Sequence, residues 1–141
     1  VDYGFVGDVE KVDGEMLSYL INKGIVPVMA PLTHDGKGHI LNTNADTIAG
    51  ETAKALASYF DVTLMYCFEK KGVLRDENDD DSVISSINQE DFQRLVAEKV
   101  IQGGMIPKLE NAFSAISSGV EEVVITSASA INSTSGTHIK K

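Results

Sequence analysis

Apolar and polar positions follow one another along the chain in the pattern expected of a layered α/β domain. Apolar residues recur at helical spacing in four places, near residues 14–23, 45–60, 89–100 and 107–118. Continuous apolar runs at residues 25–30, 62–68 and 123–126 predict strands, and continuous apolarity indicates that the first two are covered on both faces. Because strands and helices alternate, we predict an α/β fold with a mainly parallel central sheet.

Small polar residues and proline mark where these elements are expected to begin. Asn44 and Asn88 each precede a helical pattern, where a short side-chain oxygen can cap the free amides of the first turn. Pro107 is placed for the first turn of the last helix. Glycine-containing segments predict one hairpin within residues 1–12 and another turn at residues 33–39.

Composition narrows the possible functions. Apolar residues make up 43% of the 141 positions, and 21 acidic against 12 basic residues give a net charge of -9. Such an acidic chain is not expected to bind nucleic acid, and no apolar run is long enough for a membrane span. The lone Cys67 and the lack of a signal-peptide pattern predict a cytoplasmic protein, with Cys67 packed in its strand. Because the sequence starts at Val1 without an initiator Met, we expect a piece of a longer chain.

The first candidate site segment is Asn42-Thr43-Asn44-Ala45-Asp46, at a strand-to-helix junction. Ligands of open α/β sheets lie at such junctions, outside the carboxyl ends of the strands. One interpretation is structural, with Asn44 as a helix cap. The other is functional: Asn42 and Asn44 hold a polar substrate and Asp46 positions a cation.

Two further segments could face an anionic ligand. At residues 103–108 a glycine pair frees the backbone for close approach, and the amides of the following helix suit an anion. Lys108 lies in the first helical turn, where the dipole disfavours a cation, so either a functional role or ordinary solvation must explain it. Lys70 and Lys71 next to Gly72 can receive phosphates, although such pairs also occur on plain surface turns.

Other polar clusters are interpreted as inert. Residues 76–81 lack the ligand spacing of a calcium loop and predict a solvated hairpin tip. His34, His39 and His138 show no metal-ligand spacing, and we expect no protein-built metal site.

The order of these segments resembles the C-terminal half of the amino acid kinase family. The resemblance rests on Asn42-Thr43-Asn44-Ala45-Asp46, then Gly72-Val73-Leu74 after a strand, then Gly103-Gly104-Met105-Ile106-Pro107-Lys108. It covers essentially the whole chain and is nearest to the branch that phosphorylates N-acetyl-L-glutamate. It implies a three-layer sandwich of the carbamate kinase-like type, in which residues 1–141 are the ATP-binding C-terminal portion and the N-terminal, substrate-binding half is absent.

The resemblance also implies an activity and a set of site residues. It implies transfer of a phosphoryl group from ATP, with Mg²⁺, to the γ-carboxylate of an N-acyl-L-glutamate in arginine biosynthesis. Lys108 would bind the phosphoryl group in flight, Asp46 would organise the catalytic lysines, and Asn42 and Asn44 would contact substrate. The full-length enzyme is expected to form a homo-oligomer. The residues implied to border the nucleotide are Glu69, Lys70, Lys71, Gly72, Val73, Leu74, Val100, Ile101, Gln102, Gly103 and Gly104.

Some features depart from the family pattern and leave alternatives open. The family's N-terminal lysine and glycine pair are not in this chain, so we expect little or no turnover from it alone. Residues 66–72 depart from the family's usual turn, which contains an aspartate. The alternatives are a sibling kinase acting on N-succinylglutamate, aminoadipate or glutamate, a non-catalytic α/β nucleotide-binding module, and a domain that only buries a partner surface.

Overall fold

A computed structural model of the chain describes residues 3–132 and 134–141. Its helices are α1 Gly14–Asn22, α2 Ala45–Leu56, α3 Gln89–Ala97 and α4 Met105–Ser117. Its strands are β1 Leu32–His34, β2 Ile40–Asn42, β3 Thr63–Phe68, β4 Ser86–Ile87, β5 Glu122–Ser127 and β6 Thr137–Ile139, with one 3₁₀ turn at Ala128–Ala130. None of the described helices combines the length and apolarity needed to cross a bilayer.

The main sheet has four strands in the order β3-β5-β6-β4. β3 pairs with β5 and β4 pairs with β6 in parallel, whereas β5 and β6 are antiparallel. The predicted α/β fold with a mainly parallel sheet is therefore confirmed. Phe68 and Ser127, the last residues of β3 and β5, are direct partners, so these two strands end together at one edge of the sheet.

The core lies between this sheet and the helices that pack on it. β5 is buried along nearly all of its length, because helices and neighbouring strands cover it. The inward face of α4 carries Leu109 and Ala112, neither of which is exposed, together with Phe113 and Ile116. Leu109 is thus a position where truncation to alanine removes about 2–5 kcal/mol of stability. This packing anchors α4 on the core directly after Lys108.

The predicted helix caps are confirmed. The Asn44 side chain accepts hydrogen bonds from the amides of Asp46 and Thr47, and the Asn88 side chain accepts one from Asp91. Gly24, just past α1, has a φ of +78°, the left-handed conformation that commonly ends a helix and that glycine adopts without steric strain.

The prediction of a buried strand at residues 25–30 is wrong. This segment has no strand conformation, and Val26 and Val28 are 82% and 94% exposed. Apolar side chains adopt a strand covered on both faces only where neighbouring strands and helices exist to cover them. Within the described residues, no strand pairs with this run.

β3 is less buried than its apolar sequence indicates. Leu64 and Tyr66 point into the core, whereas Thr63 and Cys67 are exposed. The expectation that Cys67 is packed is therefore wrong. The face of β3 that carries Thr63, Met65 and Cys67 is largely open, whereas the face that carries Leu64 and Tyr66 is buried.

The start of the chain pairs differently from the predicted hairpin. No hairpin forms within described residues 3–12, and the first two residues of the predicted hairpin lie outside the described range. Instead Val6 forms a parallel bridge to Asn42, supported by backbone hydrogen bonds from Gly7 to Asn42 and from Asn42 to Phe5.

The sequence pattern does not predict β6, because three residues in a small, polar tail carry too little pattern to indicate a strand.

Candidate functional site

Asp46 and Lys108 meet at the carboxyl end of β3. Asp46 lies in the first turn of α2 and Lys108 in the first turn of α4, 62 residues further along the chain. The Lys108 Nζ donates a hydrogen bond of 2.7 Å to the Asp46 Oδ2. The two motifs singled out from the sequence therefore converge in space, as their resemblance to the family implies.

This ion pair is partly open to solvent, with each side chain 30% exposed. A partly exposed ion pair contributes only modestly to folding, of the order of 1 kcal/mol or less. The dipole of α4 also disfavours a cation in its first turn. Lys108 is thus held by its side-chain contacts against the preference of its own helix.

Two aromatic residues of β3 complete the surroundings of the pair, and sequence reasoning missed both. The Lys108 Nζ lies over the ring of Phe68, 4.0 Å from its centroid. The Phe68 ring stacks on that of Tyr66, with centroids 6.0 Å apart and planes 15° apart. The Tyr66 hydroxyl donates to the backbone carbonyl of Asp46 at 3.2 Å. In sequence, both look like ordinary strand residues, so the pattern carries no signal of this role.

The pKa of Tyr66 is shifted by its surroundings in the site. Burial raises the pKa of its phenol to about 12, and the negative charges of Asp46 and Glu51 add to the effect. Tyr66 therefore stays a neutral hydrogen-bond donor at any physiological pH.

A cavity of about 280 Å³ opens beside this edge of the sheet. Its volume lies just below the range of about 300–1,000 Å³ that is usual for small-molecule sites. Seven residues expected to border a nucleotide line it, namely Lys70, Gly72, Val73, Leu74, Val100, Ile101 and Gln102, and Glu77, Asn78 and Met105 complete the lining. The other expected residues, Glu69, Lys71, Gly103 and Gly104, flank these in sequence but do not line it. Met105 precedes Lys108 by one helical turn, which brings the cavity next to the ion pair.

Thr137 holds in place the segment that contributes Gly72 and Val73 to the cavity lining. Its buried hydroxyl accepts a hydrogen bond from the Val73 amide at 2.8 Å and donates one to the Ile84 carbonyl at 2.7 Å. A Cβ on Gly72 would lie 2.8 Å from the Thr137 Oγ1. Gly72 is therefore needed for close packing of the loop against β6, in addition to any role towards a ligand.

The lysine pair at the cavity rim is held by acidic partners. Lys70 contacts Asp80 at 2.8 Å and Lys71 contacts Asp81 at 3.1 Å, all four side chains being exposed. The hydrogen bond between Lys70 and Asp80 raises the pKa of the lysine and lowers that of the aspartate. Residues 76–81 form the exposed hairpin tip expected from the sequence, and the structure adds that two of its aspartates neutralise the lysines.

Two of the amides at the start of α4 already have partners within the chain. The amides of Met105 and Ile106 donate back to the carbonyls of Gln102 and Gly103, and Pro107 has no N–H. These first-turn positions are not available to an anion. The charge that this helix offers an anionic ligand is that of Lys108.

The two asparagines differ in how their side chains are used. The side-chain oxygen of Asn44 accepts the two hydrogen bonds that cap α2. The Asn42 backbone holds residues 5–7, and its side chain is exposed. Asn42 is therefore the better placed of the two to offer both side-chain groups to a ligand.

Histidines pair with carboxylates in this structure. His39 contacts Asp35 at 2.7 Å, and His138 contacts Glu122 at 2.6 Å. Over residues 3–132 and 134–141, no group of three or more His, Cys, Asp or Glu side chains is arranged to hold a metal ion.

Comparison with known proteins gives a consistent result. Residues 1–127 match the model of the amino acid kinase family. The chain is 76% identical to an acetylglutamate kinase of Bacteroides fragilis and 77% identical to one of Phocaeicola vulgatus, over 141 residues in both cases. Its structure resembles that of a Giardia carbamate kinase, with a TM-score of 0.70 and 20% identity, over 94% of this chain and 49% of the other.

The similarity to the two acetylglutamate kinases covers all of this chain but only part of each relative. The matched region is 54% of the Bacteroides fragilis protein and 55% of the Phocaeicola vulgatus protein. The chain therefore spans about half the length of the curated relatives it matches.

Proposed function

This chain belongs to the amino acid kinase family, and on that premise we propose that it supplies the ATP-binding portion of a kinase for N-acetyl-L-glutamate. The product would be the γ-phosphate of the acylated amino acid, an intermediate of arginine biosynthesis. The observation that carries the proposal is the contact between Lys108 and Asp46 beside the cavity. The identity to proteins named acetylglutamate kinase supports it.

The cavity is the part of the structure that we assign to the nucleoside of ATP. Val73, Leu74 and Ile101 give it an apolar lining suited to a base, and Gln102 and Asn78 add polar groups that can read its edge. The phosphates would extend from there along α4 towards Lys108, since Met105 and Lys108 lie one turn apart on that helix.

Lys108 is the residue that we assign to transition-state stabilisation. The acceptor carboxylate is already ionised at neutral pH, so the reaction needs no general base. The barrier comes from bringing two anions together and from the charge that develops on the transferring phosphoryl group. An ammonium held in place before the reaction lowers that barrier. Asp46 would hold it there through the observed hydrogen bond without contacting substrate.

The described residues hold no group of three or more His, Cys, Asp or Glu side chains arranged around a metal ion. We propose that Mg²⁺ arrives with ATP, coordinated mainly by phosphate oxygens and water, as this ion prefers. We derive no catalytic step through it.

The acceptor would lie next to Asn42, whose exposed side chain can both donate and accept hydrogen bonds. For Asn44 we assign only the amide nitrogen to substrate, since its oxygen caps α2. We propose that the complete enzyme is a homo-oligomer.

Binding of nucleotide is tested on the chain as it stands. Isothermal titration of the 141-residue protein with ATP and Mg²⁺ should give saturable heat. Replacement of Met105 by Asp, which puts a charge into the lining at a partly exposed position in the first turn of α4, should remove that heat, whereas replacement of the exposed Lys140 should not. Absence of saturable heat in the parent protein would contradict the assignment of the cavity.

The reaction is tested in a chimaera. This chain replaces the matching 141 residues of the Bacteroides fragilis relative, and ATP-dependent phosphorylation is measured with N-acetyl-, N-succinyl- and unacylated glutamate and with aminoadipate. We expect the highest kcat/KM with N-acetylglutamate and little or no turnover by the chain alone. A chimaera that folds, binds ATP and phosphorylates none of these acceptors would contradict the proposed function.

A further inference from the structure

The Lys108 ammonium has two supports among the described side chains, and only one of them is an acid. The Asp46 carboxylate accepts its hydrogen bond at 2.7 Å, while the face of Phe68 lies 4.0 Å from the same nitrogen. Phe68 is itself positioned, because it stacks on Tyr66 and the Tyr66 hydroxyl binds the backbone of Asp46. The contacts among these four residues form a closed cycle, of which the Lys108 ammonium is one member.

The two supports differ in what they leave for a ligand. A lysine ammonium has three N–H donors, and Asp46 takes one of them. An aromatic face attracts the cation through its quadrupole and carries no formal charge. A second carboxylate at that position would also hold Lys108, but it would place another negative charge close to an approaching phosphoryl group. The ring face therefore holds the ammonium in place without adding a negative charge, so the positive charge of Lys108 remains available to attract an anion.

We propose that Phe68 is a positioning residue for phosphoryl transfer, presenting its ring face to the Lys108 ammonium and so holding it for the transferring group. The proposal rests on the proposed function of this site. Phe68 also packs against the core cluster, so a purely structural role is the explanation that the test must separate.

The contact itself is tested on the 141-residue protein by NMR, independently of catalysis. Ring-current shielding should move the ε-methylene protons of Lys108 upfield from those of Lys140, which is exposed. The shift should disappear in Phe68→Leu and persist in Phe68→Tyr. Unshifted Lys108 protons in the parent protein would overturn the proposal.

The role in catalysis is tested in the chimaeric kinase. Phe68→Leu should lower kcat about three- to tenfold with the KM for ATP nearly unchanged, within the range expected for loss of a cation–π contact. Phe68→Trp and Phe68→Tyr should retain most of the activity. Fluorinated phenylalanines at position 68 keep the shape of the ring but weaken its negative face, so kcat should fall stepwise with one, two and three fluorines.

Fluorination of Phe60, which lies beyond the end of α2, is the matched control and should leave kcat unchanged. Equal kcat values across the fluorinated series at position 68 would reduce Phe68 to packing and overturn the proposal. An unsubstituted chimaera without kinase activity would instead refute the proposed function, and the positioning role with it, while the NMR measurement would still judge the contact.

Discussion

Lys108 is the residue on which the proposed chemistry depends most directly. It is held by Asp46 and Phe68 at a helix start that does not favour a cation. The position of its ammonium is therefore maintained by two contacts, an ion pair and a cation–π contact, that each contribute little to the stability of the fold. This separation of stability from function makes its replacement informative.

We predict that Lys108→Ala in the chimaeric kinase lowers kcat at least about 100-fold and changes the KM for acylated glutamate little, because the ammonium acts mainly on charge that develops in the transition state. Lys140→Ala removes a lysine from the surface, away from the site, and is the control. Steady-state kinetics of both variants provide the measurement. A Lys108→Ala enzyme with unchanged kcat would remove this residue from the mechanism.

Tyr66 gives the site a measurable pH dependence. Its folded-state pKa of about 12 lies above the ordinary value of 10.0, so between these values the unfolded chain loses a proton that the native protein keeps. Stability is thus fully retained below pH 10 and falls as the pH rises towards 12, by up to about 3 kcal/mol.

We predict that Tyr66→Phe is less stable than the parent at pH 8 by about 1 kcal/mol, since the hydrogen bond to Asp46 is lost. Its deficit should shrink above pH 10, because the variant has no phenol to ionise. Urea unfolding at pH 8, 10 and 11 measures this, with Tyr59→Phe, half exposed, as control. A deficit that stays constant over this range would contradict the assigned cause.

At the scale of elements, the start of α2 combines a structural and a proposed functional role in one residue. Asn44→Ala should lower the free energy of unfolding by about 1 kcal/mol, whereas Asn44→Ser keeps a capping oxygen and should be nearly as stable as the parent. If the amide nitrogen contacts substrate, the serine variant of the chimaera should show a KM for N-acetylglutamate raised several-fold. Thermal melts and kinetics on the same two variants check both parts, and an unchanged KM would leave Asn44 as a cap alone.

The hairpin carrying residues 76–81 is an electrostatic element. Its aspartates pair with Lys70 and Lys71 at the cavity rim, so they compete with any phosphate for the same cations. Replacing Asp80 and Asp81 together by asparagine should tighten ATP binding about two- to fivefold at low salt, and the gain should vanish at high salt because exposed pairs are screened.

The control for this change is Glu10→Gln with Glu121→Gln, which removes the same charge from two exposed positions that do not line the cavity. Calorimetric titration with ATP at two ionic strengths measures the affinity of each double variant and so distinguishes the aspartate change from the glutamate control. Weaker ATP binding in the aspartate variant would mean that the hairpin holds the lysines in place for the nucleotide instead of competing with it.

Elements with strong local signals could be predicted from the sequence, and those that depend on distant partners could not. Asn44 and Asn88 cap their helices because capping is decided within three residues. β6 is stabilised by Thr137, whose hydroxyl bonds Val73 and Ile84 far away in the chain. The contact of Phe68 with Lys108 spans 40 positions and leaves no periodic trace. The pairing of Asp46 with Lys108 was foreseeable only through resemblance to a family.

At the scale of the whole molecule, residues 25–30 show what local pattern cannot establish. The run is apolar enough for a buried strand, yet burial is a property of its surroundings, and no described strand covers it. Large apolar side chains of this run are exposed to water, and so are those of Tyr3, Phe5, Leu32 and Ile40. Exposed apolar segments of high strand propensity favour association between copies.

We therefore predict that the 141-residue chain self-associates with rising concentration in sedimentation velocity. Val26→Asp with Val28→Asp should reduce that association, because both side chains are almost fully exposed and charge opposes their burial between copies. Thermal stability should change little, since neither valine packs in the core. The pair Ser58→Asp with Gln93→Asp adds the same charge at other exposed positions and should leave association nearly unchanged. Equal association in both double variants would mean that overall charge, rather than this apolar segment, governs contact between copies.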